Sequence, residues 1–415
     1  MIAPVARCVI SMLLLLAPLF VRADVVTTRC HEREITSGDT RAAQLGACDD
    51  HASDLLWHLD RIDQVGGVLD GRADRANRGR GSVIYVMDTG ILASHDEFLS
   101  AAGSRVIAGF DAAGAVPLGH SRCASDDKAT APCYSDREEM NAASHGTSVA
   151  SIAAGRNIGV APEAFLVSVR VMNERGLATT RTYLDGLDAI VRHAWSSGAP
   201  PFQTAVVNIS GWVLEKITSE ATGVVPFSAV EKKMLDMIAG VGADGLRHPD
   251  GKKFLFVVAA NNVDTGCGDS GFVDRFPAIL GHEIAGVITV GGMTAENEAW
   301  SGGCRGGVEI LAPAQAIFSA TISGNDHYRP RKSGLRSGTS FAAPVISGIA
   351  ARMLAEAPRL TPQQLEAALV ATPSRTRRPE AAYADGKVGV VIGRVGESVR
   401  AGEQVSSRRV GERGE

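Results

Sequence analysis

The chain has 415 residues, 45% of them hydrophobic, and a formal net charge of −4. That length suits one large α/β domain or two ordinary ones. No basic stripe suits nucleic acid, and no polybasic amphipathic helix suits a membrane surface.

The first element reads as an export signal. Arg7 precedes an apolar run over residues 8–21 that contains Leu13, Leu14, Leu15 and Leu16. Val21-Arg22-Ala23 then offers the two positions that a signal peptidase reads, so residues 1–23 are expected to leave after Ala23. The run falls short of the roughly 20 residues that span a bilayer, so no stable membrane anchor is expected. The protein is expected in the periplasm or outside the cell. Cys8 leaves with the signal. Cys30, Cys48, Cys123, Cys133, Cys267 and Cys304 remain, an even set that implies disulfides in an exported chain. Among the possible connectivities, proximity favours Cys30–Cys48, Cys123–Cys133 and Cys267–Cys304.

Residues 24–52 are polar and read as a short N-terminal extension that carries two cysteines. Apolar runs at 83–87, 165–171, 205–209, 254–260 and 284–290 read as strands. Several lack period-two alternation, the pattern of strands buried on both faces of a parallel sheet. Between them lie helical patterns. Leu184, Leu187, Val191, Ala194 and Trp195 share one helical face. Ser228 and Glu231 predict a capping box, with Val230, Met234, Met237, Ile238 and Val241 at helical spacing. The stretch 240–253 is rich in glycine and reads as a surface loop. Thr361, Pro362 and Gln364 open another helix, with proline at its first position. This alternation predicts an α/β fold over residues 53–393: a doubly wound, mostly parallel β-sheet flanked by helices on both faces. Residues 394–415 form a charged tail with little to bury, expected to stay mobile.

Three segments carry candidate chemistry. Val83-Ile-Tyr-Val-Met-Asp-Thr-Gly-Ile91 is an apolar strand that ends in Asp88, a carboxylate placed to hold an imidazole. His145-Gly-Thr-Ser-Val-Ala150 puts a histidine at the start of a small-residue helix. Ser337-Gly-Thr-Ser-Phe-Ala-Ala-Pro344 puts Ser340 at a helix N-terminus, where free N–H groups favour a developing oxyanion. The first two are weak alone, because strand-end aspartates and lone histidines are common; at Ser340 the flanking Gly338 and the run Phe341-Ala-Ala-Pro344 leave room beside the hydroxyl, which disfavours a mere N-cap serine. Their order, Asp then His then Ser, is far more specific.

On these residues the chain resembles the subtilase family (peptidase S8), within it the proteinase K-like branch. The resemblance runs from about Leu55 to Pro373. It includes Trp57-His-Leu-Asp-Arg-Ile-Asp-Gln64, Gly159-Val-Ala-Pro162, Phe256-Val-Val-Ala-Ala-Asn-Asn262 and Val308-Glu-Ile-Leu-Ala-Pro313. It implies a subtilisin-like fold and a serine endopeptidase acting on polypeptides through an acyl-enzyme. Ser340 would be the nucleophile, His145 the general base and Asp88 its support, with Asn262 in the oxyanion hole. No cofactor is implied for catalysis. Structural calcium is implied as a possibility, with Glu309 a candidate ligand. A monomer is expected.

Ser210, Gly211, Trp212, Ala259, Ala260 and Asn261 would line the substrate cleft. Four features depart from the family pattern. Asn261 stands where the family usually has glycine, and Gly211-Trp212-Val213 replaces Leu-Gly-Gly. The 240–253 segment is additional, and Ser148 and Ser151 replace histidine and glycine. The stretch 24–82 is also too short for a full prodomain. The first two departures predict a restricted primary pocket that favours small or modest apolar side chains. Asn208-Ile-Ser210 matches a glycosylation sequon, but its place at the end of a buried strand favours a structural role. Two competing readings are a non-catalytic binding protein of the same shape and a serine esterase. Ser340 lacks the Gly-x-Ser-x-Gly surround of the esterase class.

Overall fold

The computed structural model describes residues 55–62, 69, 73, 77–113, 144–173, 175–213, 225–268, 271–328, 335–371, 373–374 and 389–391. Residues 1–23, the 24–52 extension, the 394–415 tail, and Cys30, Cys48, Cys123 and Cys133 lie outside them.

The strands are β1 (Val83–Asp88), β2 (Val106–Asp111), β3 (Phe165–Arg170), β4 (Thr204–Ile209), β5 (Lys253–Ala259), β6 (Val287–Met293), β7 (Ile310–Pro313), β8 (Pro373–Ser374) and β9 (Gly389–Val391). The helices are α1 (Trp57–Arg61), α2 (His145–Ala154), α3 (Thr180–Ala194), α4 (Phe227–Ala239), α5 (Thr339–Glu356) and α6 (Pro362–Ala371). The sheet runs β8-β9-β7-β6-β5-β4-β1-β3-β2. All its pairings are parallel except β8 with β9. Order reverses around β1, so a crevice opens beyond the carboxyl ends of β1 and its neighbours.

Side-chain alternation along the strands builds two cores. Ile84, Val86, Leu166, Val206, Leu255 and Val257 meet α2, α5 and α6 on one face. Val83, Tyr85, Met87, Val167, Val207 and Phe256 meet α3 and α4 on the other. Strands β1 and β4 are buried at every residue, which explains their continuous apolar runs. β2 and β7 are strands that no periodic run had announced. The run at 284–290 is displaced: Ile284 follows a 3-10 turn at Ala278–His282, and the strand begins at Val287.

Helix starts follow local chemistry unevenly. α6 opens at Pro362 as expected, and reciprocal capping bonds are present there, Thr361 N to Gln364 Oε1 at 2.9 Å and Gln364 N to Thr361 Oγ1 at 3.3 Å. The capping box expected at Ser228 and Glu231 is not. α4 begins two residues earlier, at Phe227, with the extended Pro226 (φ −72°, ψ 155°) in the N-cap place, so Ser228 sits inside the first turn. Val241 also lies past α4, which ends at Gly240 in the left-handed region, φ 83°. A complete capping box occurs instead at Thr179 and Thr182, opening α3. The 240–253 stretch is the surface loop its glycines predicted, with residues 243–247 exposed.

Candidate active site

Asp88 is the last residue of β1 and is fully buried. Gly90, at φ 105°, turns the chain away, and Thr89 N donates to Asp88 Oδ1 at 2.7 Å. His145 opens α2 with Nδ1 2.9 Å from both Asp88 oxygens. A carboxylate only accepts, so Nδ1 carries the proton and Nε2 is left with its lone pair. Gly146 allows this approach. A Cβ there would stand 2.3 Å from Gly90 O, while its N–H reaches Thr89 Oγ1 at 3.0 Å.

Ser340 is the second residue of α5, where its N–H has no acceptor within the helix. Its hydroxyl donates to Ser210 O at 3.2 Å and makes no bond to His145. The reciprocal contact is Ser210 Oγ to Ser340 O at 2.8 Å. Pro344 explains it. Proline has no N–H for the carbonyl four residues back, and the Ser210 hydroxyl takes the vacant place.

Asn262 lies just beyond β5. Its Oδ1 accepts from Thr339 N at 2.9 Å and Thr339 Oγ1 at 3.2 Å. With the carbonyl side held, the NH₂ edge is fixed on the opposite side as a donor. A cavity of about 210 Å³ is lined by His145, Ser340, Asn262, Ser210, Gly211, Trp212, Ala259 and Asn261, together with Met172, Gly176 and Thr265. Ala260 is not among them. It is the next residue along an extended segment, so it points the other way and packs on Met293, Val308 and Leu311.

Asn261 adopts φ 80°, a left-handed conformation that asparagine tolerates better than most residues. Its Nδ2 donates to Gly266 O at 2.9 Å, and it accepts from Thr265 Oγ1 at 2.7 Å. The same wall is tied by Cys304 N to Asn261 O at 3.1 Å and by the Cys267–Cys304 disulfide. The Arg275 guanidinium stands 5.1 Å from the ring of Trp212, which also lines the cavity. Tyr183 is fully buried in the core behind Met172 and Gly211; burial first, then the Asp88 charge, pushes its phenol up.

Thr339, Met172, Gly176 and Thr265 escaped the sequence reading. Thr339 was visible as the residue before Ser340. Met172 and Gly176 follow β3, and only the pairing of β3 with β1 brings them to the cavity. Asn208 is buried, donates to Ser210 Oγ and accepts from Ser347 Oγ, each at 2.9 Å, so the sequon asparagine serves the interior.

Glu309, the candidate calcium ligand, accepts Thr289 N on its Oε2 at 2.8 Å. Among the described residues no group of three or more His, Cys, Asp or Glu side chains is placed to hold a cation.

The sequence pattern of the Subtilase family matches residues 79–409. The chain belongs to the subtilase family. The subtilase is 31% identical over 328 residues to an "Extracellular serine proteinase" of Thermus sp. (strain Rt41A), covering 78% of this chain and 63% of that protein. It is 28% identical over 332 residues to "Alkaline serine exoprotease A" of Vibrio alginolyticus, covering 79% and 48%. The chain thus spans about half to under two-thirds of these relatives' length. Among solved structures, a cold adapted subtilisin-like serine proteinase superposes with a TM-score of 0.56 at 27% identity, covering 82% of the subtilase and 98% of that chain. The predicted subtilisin-like α/β fold therefore holds.

Proposed function

We propose that this subtilase is a serine endopeptidase that hydrolyses polypeptides through an acyl-enzyme. The observation that carries the reading is the His145 Nδ1 contact with both Asp88 oxygens. It orients an imidazole whose second nitrogen is available beside the cavity that Ser340 and Asn262 line.

On this reading the Ser340 hydroxyl turns from Ser210 O toward His145 Nε2 about its side-chain torsion, a motion open to a half-exposed serine. Nε2 takes the proton as Oγ attacks the scissile carbonyl, then delivers it to the leaving amine. Asp88 keeps the tautomer and supports the imidazolium. The oxyanion receives Asn262 Nδ2 and Ser340 N–H, with Thr339 holding the amide in that orientation. Water then repeats the sequence on the acyl-enzyme. The chemistry uses protein groups alone and requires no cofactor.

The small cavity, lined by Trp212 and by an Asn261 bonded to Gly266 and Thr265, supports a primary pocket for small or modest apolar side chains. Peptide-library profiling tests this, and strong cleavage after large aromatic residues contradicts it. Export with cleavage after Ala23 belongs to the same proposal, as does a monomeric enzyme. Among the described residues no helix is long and apolar enough to cross a membrane. Structural calcium, with Glu309 as a candidate ligand, belongs to the proposal as well; a chelator-induced fall in melting temperature would support it.

Fluorophosphonate labelling with casein hydrolysis decides the main reading, with Ser340→Ala as control. Label and hydrolysis that both vanish in the variant are expected. Neither in the wild type would favour a binding protein; label with ester but not peptide turnover would favour an esterase.

A further inference from the structure

Arg336 connects the segment of the base to the segment of the nucleophile. Its backbone is held by Ile317 on both sides, Ile317 N to Arg336 O at 2.7 Å and Arg336 N to Ile317 O at 2.9 Å. Ile317 is itself fully buried. Beside it, Ala316 adopts φ 56° and donates its N–H to Ser337 Oγ at 2.9 Å. From this support the half-buried guanidinium reaches Ser144 and Phe341. Nη2 donates to Ser144 Oγ at 2.7 Å, and the guanidinium carbon stands 5.7 Å from the Phe341 ring centre.

Both contacts adjoin the proposed machinery. Ser144 immediately precedes His145, and Phe341 immediately follows Ser340. The Phe341 ring lies 5.3 Å from the His145 imidazole, tilted by 51°. Ser144 is also the N-cap of α2. A serine there ordinarily accepts from an amide in its own first turn. This one makes no such cap bond, although it is fully buried. Its hydroxyl accepts from Arg336 instead, and a charged donor at this distance makes one of the stronger hydrogen bonds.

We infer that Arg336 is a positioning residue that fixes His145 against Ser340 through Ser144 and Phe341. It does not line the cavity, so it acts through those two neighbours rather than on substrate. The inference rests on the peptidase reading above.

The test compares Arg336→Met, Ser144→Ala and the double variant in purified full-length protein. Methionine keeps an apolar stem over Phe341 and removes the donor. Alanine removes the acceptor without removing a helix cap. A displacement of about 1 Å in such geometry can cost about 100-fold in rate. Each single variant is therefore expected to lose about 10- to 100-fold in kcat and in fluorophosphonate labelling rate, with KM within about twofold. The melting temperature of Ser144→Ala should stay near wild type. The double variant should be no slower than the worse single one, because both remove one interaction. Arg336→Lys, a charged donor without the planar face, should recover part of the loss.

An active wild type with unchanged kcat in the variants overturns the inference alone. So does a raised KM at unchanged kcat, which would make Arg336 a substrate contact, and so do additive losses. A wild type that neither takes label nor hydrolyses casein overturns the peptidase reading and this inference together.

Discussion

Gly146→Ala is the sharpest probe of how the proposed base is held. The added Cβ would lie 2.3 Å from Gly90 O, 3.0 Å from Gly90 N and 3.1 Å from Asp88 Cβ. Ordinary contact begins near 3.4 Å, so α2 and the turn after β1 must separate by about 1 Å. The nearest atom is backbone, so no side chain can swing aside. That separation moves the helix that begins with His145 away from the turn that follows Asp88, where the carboxylate contact is 2.9 Å. A loss of about 100-fold in kcat/KM is expected from the displacement. Overpacking of this kind should also destabilise by about 1–3 kcal/mol. Steady-state kinetics on a peptide substrate, beside a urea melt, separates the two effects. Wild-type kcat/KM in a folded Gly146→Ala protein would refute the claim that this close approach sets the Asp88–His145 geometry.

Other perturbations test the interior. Glu97 is fully buried and accepts from Asn157 Nδ2 at 2.9 Å, Asn157 N at 3.0 Å, Ile158 N at 3.3 Å and Tyr328 Oη at 2.6 Å. Glu97→Ala removes the shared acceptor of the Asn157 and Ile158 donors just past the end of α2 and of the Tyr328 hydroxyl, and a loss of about 1–3 kcal/mol in denaturant unfolding is expected; no measurable loss would mean the loops re-pair. Burial, then the Lys252 charge, pushes the His193 imidazole down to about 4. An unfolded histidine titrates near 6.5, so between these values the unfolded chain binds more protons. The His193 contribution to stability is present above about pH 6.5 and is lost as pH falls toward 4. His193→Gln should flatten that slope in urea melts at pH 7.5 and pH 5, and an unchanged slope counts against the assignment. The Tyr183 hydroxyl is buried and has no hydrogen-bond partner among the described residues. Tyr183→Phe should therefore leave stability unchanged or raise it, and a loss above about 1 kcal/mol would reveal a partner.

Much of the site was legible because each proposed catalytic residue sits at the end of a locally coded element. Strand β1 is apolar up to Asp88 because both its faces are covered. Small residues run from His145 and Ser340 into their helices because α2 and α5 pack closely against the sheet and each other. Even Asn261 could be recognised as a departure, although its φ of 80° and its bond to Gly266 could not. Strands β2 and β7 were not legible, being short or interrupted by glycine and charge, and held by their neighbours in the sheet rather than by periodicity. The Ser228 capping box failed for a related reason: two residues with the right spacing were overruled by a helix that starts two residues earlier, behind Pro226.

The order of chemical groups along the chain, and with it the family, was determined by the sequence alone. Distances between segments were not. Asp88 and His145 are 57 positions apart and Ser210 and Ser340 are 130 apart, so their contacts depend on strand order and helix packing that no local pattern encodes. The same holds for the resting Ser340 hydroxyl on Ser210, for Ala260 turned away from the cavity, and for Arg336 reaching Ser144. Local sequence selects conformations because backbone and side-chain preferences act over a few residues. Which of those segments then touch is decided only when the whole sheet closes two cores around them.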